Sequence, residues 1–582
     1  MKRYGLLFVK YLKPLWPKVA LLTGLVFTGI GLQLINPQLI RYFIDTLVAG
    51  DDLQPLLLAA ALFLGISLLA QGVGVVAVYV GEDVGWRATN HLRADLARHC
   101  LRLDLSFHTA HTPGEMIERI DGDIAALANF FSRFVINTLG NLLLLAGILL
   151  VLAHEDWRIP LALLAYIVLA FAALIGIHLI GVPYWIASRQ AGANLFGFLE
   201  EQLSSTEDVR PNGAVAYVLR QLFKFSRACL DKERKSVTAN TLLMGVAIGL
   251  YIAGQAVALA ASYGLLSQGL ITIGVVYLII YYTHLAFQRL LEITAELQNL
   301  QQAVASIARV EALLAEASRI QSVAAPVALP PGPLAVVFED VTFGYHAGEP
   351  VLHNVSFQLQ PGKTLGVLGR TGSGKTTLTR LLFRLYDPSC GAVRLGANGS
   401  LANLREMAVD DLRQRIGLVT QNVQLFNASV RDNVTFFNPN VSDEQLLQAL
   451  AALGLIQWCM ALPHGLDTVL ESGGSNLSAG EAQLLAVARV FLCDPGLVIL
   501  DEASSRLDPA TEQLIERAFD KLLENRTGII VAHRLGTVRR VDHILIIEAG
   551  QVQEFGDQAA LARDPASRFH QLLQTGLGEV LA

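Results

Sequence analysis

Six stretches of about twenty or more mostly apolar residues fill the first half of the chain, at 19–44, 56–80, 134–153, 160–182, 242–266 and 271–287. At the helical rise of roughly 1.5 Å per residue, segments of this length match a hydrocarbon core about 30 Å thick. Composition agrees, because 53% of the residues are hydrophobic and 16% charged, against roughly a quarter charged in soluble domains. A wholly soluble fold is thereby excluded, and a formal charge of -6 gives no basic face for nucleic acid.

The connections between these stretches alternate in length. Those at 45–55, 154–159 and 267–270 are short, and those at 81–133 and 183–241 are long. The long ones carry the cations, among them Arg87, Arg93, Arg98, Arg220 and Lys224, whereas the short ones hold only Arg158. The positive-inside tendency therefore puts both long loops and both termini in the cytoplasm. Apolar residues at helical spacing, such as Leu96, Leu101 and Leu103, predict that the membrane helices run on beyond the bilayer; separate soluble inserts are the alternative. The five cysteines, Cys100, Cys229, Cys390, Cys459 and Cys493, show no metal-ligand spacing and are expected to be isolated thiols.

A helical pattern over 290–317 gives way to four prolines within 322–333, which mark a linker. Short β-rich runs follow at 336–338, 364–367, 416–419, 497–500, 528–531 and 543–547, alternating with helical segments. They predict an α/β domain with a largely parallel sheet. The expected organisation is a membrane domain over 1–317, a linker over 318–333 and a second domain over 334–582.

The chemistry lies in that second domain. Gly369, Arg370, Thr371, Gly372, Ser373, Gly374, Lys375, Thr376 and Thr377 form a complete GxxxxGK(S/T) loop between a strand and a helix. Glycines let backbone N–H groups turn inward around phosphate oxygens, the lysine reaches the terminal phosphates, and the Thr376 hydroxyl is suited to Mg²⁺. The helix N-terminus adds favourable dipole charge. Downstream, Leu497 to Leu500 end in Asp501 and Glu502. A carboxylate at a strand tip can stand near the Mg²⁺ shell while its neighbour polarises a water for attack on the γ phosphate.

The remaining motifs resemble the ATP-binding cassette (ABC) transporters, in the type IV exporter arrangement, over nearly the whole chain. Leu477, Ser478, Ala479, Gly480 and Glu481 resemble the signature motif LSGGQ, and Phe343, Gly344 and Tyr345 the loop whose aromatic ring stacks on adenine. Gln421 resembles the glutamine that senses Mg²⁺ and the membrane domain, and His533 the switch histidine at the γ phosphate. Ser505, Arg506, Leu507 and Asp508 resemble the loop between the two ATP sites. The segment 269–274 resembles the GxxTxG start of the sixth span, and Ala308, Arg309 and Val310 the helix end before the linker.

The resemblance implies a membrane α-helical bundle of six spans joined to an α/β P-loop NTPase domain of ABC type. It implies ATP and Mg²⁺ as ligands, with Thr376, Gln421 and Asp501 at the metal and Glu502 and His533 as catalytic residues. It also implies a dimer, because the signature motif of one subunit contacts the ATP held by the other. Coupling elements are expected near 104–113 and 206–213.

Two departures stand out: Ala479 and Glu481 replace a glycine and a glutamine of the signature, and Arg506 stands where alanine is usual. Glu502 and His533 suit a homodimer or the competent member of a heterodimer. The expected function is an ATP-driven half-transporter that exports a hydrophobic or amphipathic compound, with a second half-transporter and membrane lipids as partners. An importer on the same fold and an ATP-gated regulator are the alternatives. Polar residues in the spans, such as Gln33, Asn141, His284 and Arg289, fit either a transport path or helix-to-helix hydrogen bonds. The bacterial cytoplasmic membrane is the expected location, since no organelle-targeting segment is evident.

Overall fold

The computed structural model describes residues 10–50, 52–130, 132, 138–321, 323, 325–346, 348–397, 399–420, 423–471, 477–501, 509–532 and 538–575. The chain divides into two compact units. One comprises residues 1–102 and 112–316, the other 103–111 and 317–582.

The first unit is helical. Its long helices are Trp16–Ala49, Leu53–Arg102, Arg158–Ser204, Val215–Ser267 and Ile273–Ala315, all long and apolar enough to cross a membrane. A shorter apolar helix, Gly140–Glu155, spans 16 residues and is third of the six in chain order; the residues just before it, 133–137, lie outside the described set. Both long connections are largely continuations of these helices. The 50-residue Leu53–Arg102 is about 75 Å long, far more than the roughly 30 Å of hydrocarbon. Leu144, Ile148, Leu152, Leu174, Leu278 and Tyr282 pack as the core, while leucines and valines on the outer faces stay exposed, as helices solvated by lipid require.

Local chemistry fixes the start of the sixth span. The Thr272 hydroxyl caps Ile273–Ala315 by accepting from the Val275 N–H and donates to Asp45 at 2.8 Å. The Gly274 N–H donates to the same carboxylate at 2.9 Å. Glycine is required there, because a Cβ at 274 would lie 2.7 Å from the Arg41 carbonyl oxygen and from Asp45 Oδ1. Arg41 in turn pairs with Glu155, which ties the first, third and sixth apolar helices together at one end.

The second unit carries two main sheets. In chain order the strands are β1 (Ala335–Phe343), β2 (Leu352–Leu359), β3 (Thr364–Leu368), β4 (Cys390–Ala397), β5 (Ser400–Asn403), β6 (Ile416–Val419), β7 (Ala428–Ser429), β8 (Val469–Leu470), β9 (Leu497–Asp501), β10 (Thr527–Val531), β11 (His543–Glu548) and β12 (Gln551–Asp557). The larger sheet runs β12-β11-β3-β10-β9-β6 and is parallel except for its edge strand β12. Its inner strands are buried apolar runs, as expected of a sheet covered on both faces. The second sheet, β2-β1-β4-β5, is antiparallel. Of this sheet the sequence runs include only 336–338, within β1, which pairs antiparallel instead of joining the parallel sheet; the other strands give no run because bulges interrupt the pairing and β2 alternates buried with exposed residues. The short helix Leu105–Ala110 belongs to this second unit although its sequence lies between two spans.

Candidate functional site

The parallel sheet brings the predicted chemistry to one edge. Val531 at the end of β10 lies opposite Val367 in β3 on one side and Asp501 in β9 on the other. The GxxxxGK(S/T) loop leaves β3, so the loop, Asp501 and the segment after β10 all emerge from the carboxyl ends of adjacent strands. That edge is where open α/β sheets bind ligands.

The loop keeps its shape through glycine. Gly374 has φ 108°, and a Cβ there would lie 2.6 Å from Leu352 Cδ2. A Cβ on Gly369 would meet the Ile547 carbonyl oxygen at 2.2 Å. The helix Lys375–Leu382 starts directly after the loop. The Lys375 ammonium, buried at 6% exposure, donates to the Gly369 carbonyl at 2.5 Å and to the Arg370 carbonyl at 3.0 Å, which curls the loop around it. The Ser373 hydroxyl is buried with no hydrogen-bond partner among the described residues. A loop with room only for glycine, a buried cation and an unsatisfied hydroxyl fits the phosphates of a nucleotide. Thr376 is exposed in the first helical turn, and with Asp501 it is suited to hold Mg²⁺.

Tyr345 belongs to the same neighbourhood. Its hydroxyl is 3.0 Å from Thr377 Oγ1 and accepts from Arg380 at 3.0 Å, which fastens the aromatic loop to the helix after the phosphate loop. Its ring meets Phe343 and Tyr386 edge-on, with centroids 5.1 and 5.2 Å apart. Thr377 is thus turned inward toward Tyr345. A polar cavity of about 210 Å³ opens beside Tyr345, lined among others by Asp104, Arg319 and Tyr386.

By sequence, Asp104 stands only at the start of an expected coupling element. Its carboxylate caps Leu105–Ala110 through the Ser106 and Phe107 N–H groups, and it also accepts from the Arg319 N–H and the Ser318 hydroxyl of the linker. Burial alone would raise its pKa, but these donors outweigh it and hold the carboxyl below the ordinary aspartate range.

The signature segment begins the helix Ala479–Leu492, with Ser478 as its N-cap. Glu481 completes a capping box. Its carboxylate accepts from the Ser478 N–H and hydroxyl, each at 2.8 Å, while its own N–H donates to Ser478 Oγ at 3.3 Å. The Trp458 indole N–H donates to the other carboxylate oxygen at 2.7 Å. Trp458 sits on the separate helix Ile456–Ala461, and sequence spacing gave no sign of it; an indole N–H in need of an acceptor was the only available signal. Gln421, Glu502, Asp508 and His533 lie outside the described residues, as does Arg506.

Residues 352–505 match the ABC transporter family and 19–290 the ABC transporter transmembrane region. Among curated proteins, the chain is 30% identical over 471 residues to a fatty acid ABC transporter ATP-binding/permease protein of Mycobacterium bovis, covering 81% of this chain and 74% of that one. It is 28% identical over 547 residues to an ATP-dependent lipid A-core flippase of Idiomarina loihiensis, covering 91% and 90% of the two chains. Among solved structures, a bacterial Atm1-family ABC exporter with ATP bound superposes with a TM-score of 0.82 at 25% identity, over 96% of this chain and 98% of that one. The chain belongs to the ABC transporters. Within that family it is a half-transporter of the type IV exporter arrangement, an integral multi-pass membrane protein with one membrane domain fused to one ATP-binding cassette.

Proposed function

We propose that this half-transporter hydrolyses ATP as a dimer and uses the cycle to move an amphipathic lipid-like compound outward by alternating access. The observation that carries the proposal is the shared strand edge of the phosphate loop and Asp501, in a chain whose other unit is built from apolar helices of membrane length. Mg²⁺ when bound neutralises developing charge on the phosphates. Thr376, Asp501 and Gln421 would hold it, Lys375 would hold the terminal phosphates, Glu502 would orient the attacking water, and His533 would contact the γ phosphate.

Two features support a dimer. Each chain has one phosphate loop and one signature segment, so a sandwich of two cassettes completes both sites. In addition, Phe196, Leu203, Leu219, Phe223 and Leu230 are exposed on the extensions of the helices Arg158–Ser204 and Val215–Ser267 beyond the predicted spans, where water rather than lipid would otherwise meet them. A lipid-like cargo is supported by the fatty acid and lipid A-core named for two relatives. An apolar cavity of about 330 Å³ between the helices Arg158–Ser204, Val215–Ser267 and Ile273–Ala315, lined by Tyr166, Gly254 and Ala258 among others, is consistent with such a cargo. The bacterial cytoplasmic membrane, with the cassette on the cytoplasmic side, is the proposed location.

The test is ATP hydrolysis by the chain purified alone in lipid, beside Glu502→Gln, with oligomeric mass measured on the same sample. A dimer whose turnover is lost in the variant supports the proposal. A monomer, or an inert dimer, replaces it with a heterodimer in which this chain is one member. Uptake of labelled phospholipid or fatty acid into inverted vesicles tests direction and cargo class.

A further inference from the structure

We infer that Glu481 is a positioning residue that acts as a brake on ATP-driven closure, by holding the Ser478 hydroxyl on its own carboxylate and away from the γ phosphate of the ATP bound by the facing cassette. The inference rests on the proposed ATP sandwich.

Ser478 Oγ has one proton and it is committed to Glu481 Oε2 at 2.8 Å, while its lone pair takes the Glu481 N–H at 3.3 Å. To contact a phosphate oxygen, Ser478 must withdraw that proton from a carboxylate. Hydrogen bonds to ionised acceptors are roughly twice as strong as those between neutral groups, so a neutral amide at 481 would release the hydroxyl more readily while still completing the cap. Burial tends to raise the Glu481 pKa, but the donations from Ser478 and Trp458 outweigh it and keep the carboxyl below the ordinary glutamate range. The side chain is therefore an anion at neutral pH.

Trp458 removes the simplest escape. The carboxylate cannot swing away from Ser478 without giving up the 2.7 Å indole contact, which is partly buried and so not easily replaced by water. The anion is also fixed at the N-terminus of Ala479–Leu492, where it satisfies the dipole charge that the incoming phosphate would otherwise meet unopposed. Both effects act against closure and in favour of the open pair of cassettes, and both vanish when the charge is removed with the shape retained.

The test compares wild type, Glu481→Gln, Glu481→Ala and Trp458→Phe, each as the full chain in lipid nanodiscs. ATP hydrolysis is followed against ATP concentration, and ATPγS binding is measured by calorimetry. In Glu481→Gln the KM for ATP should fall about tenfold, the scale expected for removing one charge near a phosphate in a partly screened site, with kcat within about twofold of wild type. ATPγS should bind correspondingly tighter. Trp458→Phe should shift KM the same way by less, and Glu481→Ala, which loses the cap as well, should be less stable than Glu481→Gln. If glutamine leaves KM and ATPγS affinity at wild-type values, Glu481 is only a helix cap and the inference is overturned. If no chain hydrolyses ATP but Glu481→Gln still tightens ATPγS binding, the brake stands and the ATPase proposal falls.

Discussion

Asp123 and Arg309, 186 positions apart in the chain, form a two-pronged ion pair: Arg309 Nε lies 3.1 and 2.9 Å from the two carboxylate oxygens, and Nη2 also donates to Oδ1. Asp123 is 3% exposed and also accepts from the Ser306 hydroxyl at 2.8 Å. The pair locks the helix Asp123–Asn129, within the first long connection, onto the C-terminal part of the helix Ile273–Ala315. Replacing Asp123 by alanine leaves Arg309 and Ser306 without their acceptor. Because half of the Arg309 side chain remains in water, the expected loss is about 1–3 kcal/mol, read as a lower melting temperature in detergent. An unchanged melting temperature would remove the pair from the account of what holds these helices.

At the other end of the sixth helix, Gly274→Ala should be destabilising out of proportion to its size. The added methyl would lie 2.7 Å from Arg41 O and Asp45 Oδ1, so Asp45 must leave the Gly274 N–H and the Thr272 hydroxyl that it satisfies. The expected cost is about 1–3 kcal/mol. Gly264→Ala, where a methyl meets nothing within 4 Å, is the control and should be near neutral by the same thermal assay.

Lys375→Ala should abolish ATP turnover, by roughly a hundredfold or more, because it removes the buried cation that the Gly369 and Arg370 carbonyls hold within the phosphate loop. Residual turnover within a few-fold of wild type would mean that hydrolysis uses a different site.

Tyr345→Phe separates the hydroxyl of this residue from its ring. The ring keeps its edge contacts with Phe343 and Tyr386, but the ties to Thr377 and Arg380 are lost. The KM for ATP should rise about two- to fivefold, the scale of one or two hydrogen bonds, with kcat little changed. A KM equal to wild type would show that the hydroxyl does not steady the phosphate-loop helix.

Asp104 carries a pH dependence of defined sign. Its folded-state pKa is below the ordinary value, so its contribution to stability is present above the unfolded aspartate pKa of about 4 and is lost as pH falls through the lower folded value. Wild type should therefore melt above Asp104→Asn at pH 7, and the gap should narrow only below about pH 4. A gap constant across that range would assign the difference to packing rather than charge.

Much of this molecule was legible in the sequence because its signals are local. Apolar runs of bilayer length need no tertiary context to be read, and neither does a GxxxxGK(S/T) loop, since consecutive residues form both. β6 spans 416–419 as read from the sequence, and the parallel strands β3, β9, β10 and β11 each differ from the sequence limits by one residue at one end, because fully buried parallel strands are continuous apolar runs. The antiparallel sheet left only the run 336–338, a third of β1: its pairing is interrupted by a bulge between Phe338 and Val341, and β2 buries alternate residues.

Tertiary structure alone decided the long-range partners. The sequence named Arg309, Gly274 and Glu481, but the residues that give each its role, Asp123, Asp45 and Trp458, lie 186, 229 and 23 positions away. A polar group in a buried or capped position takes whichever complementary group the packing brings within about 3 Å, and that distance is a property of the folded chain rather than of any spacing along it.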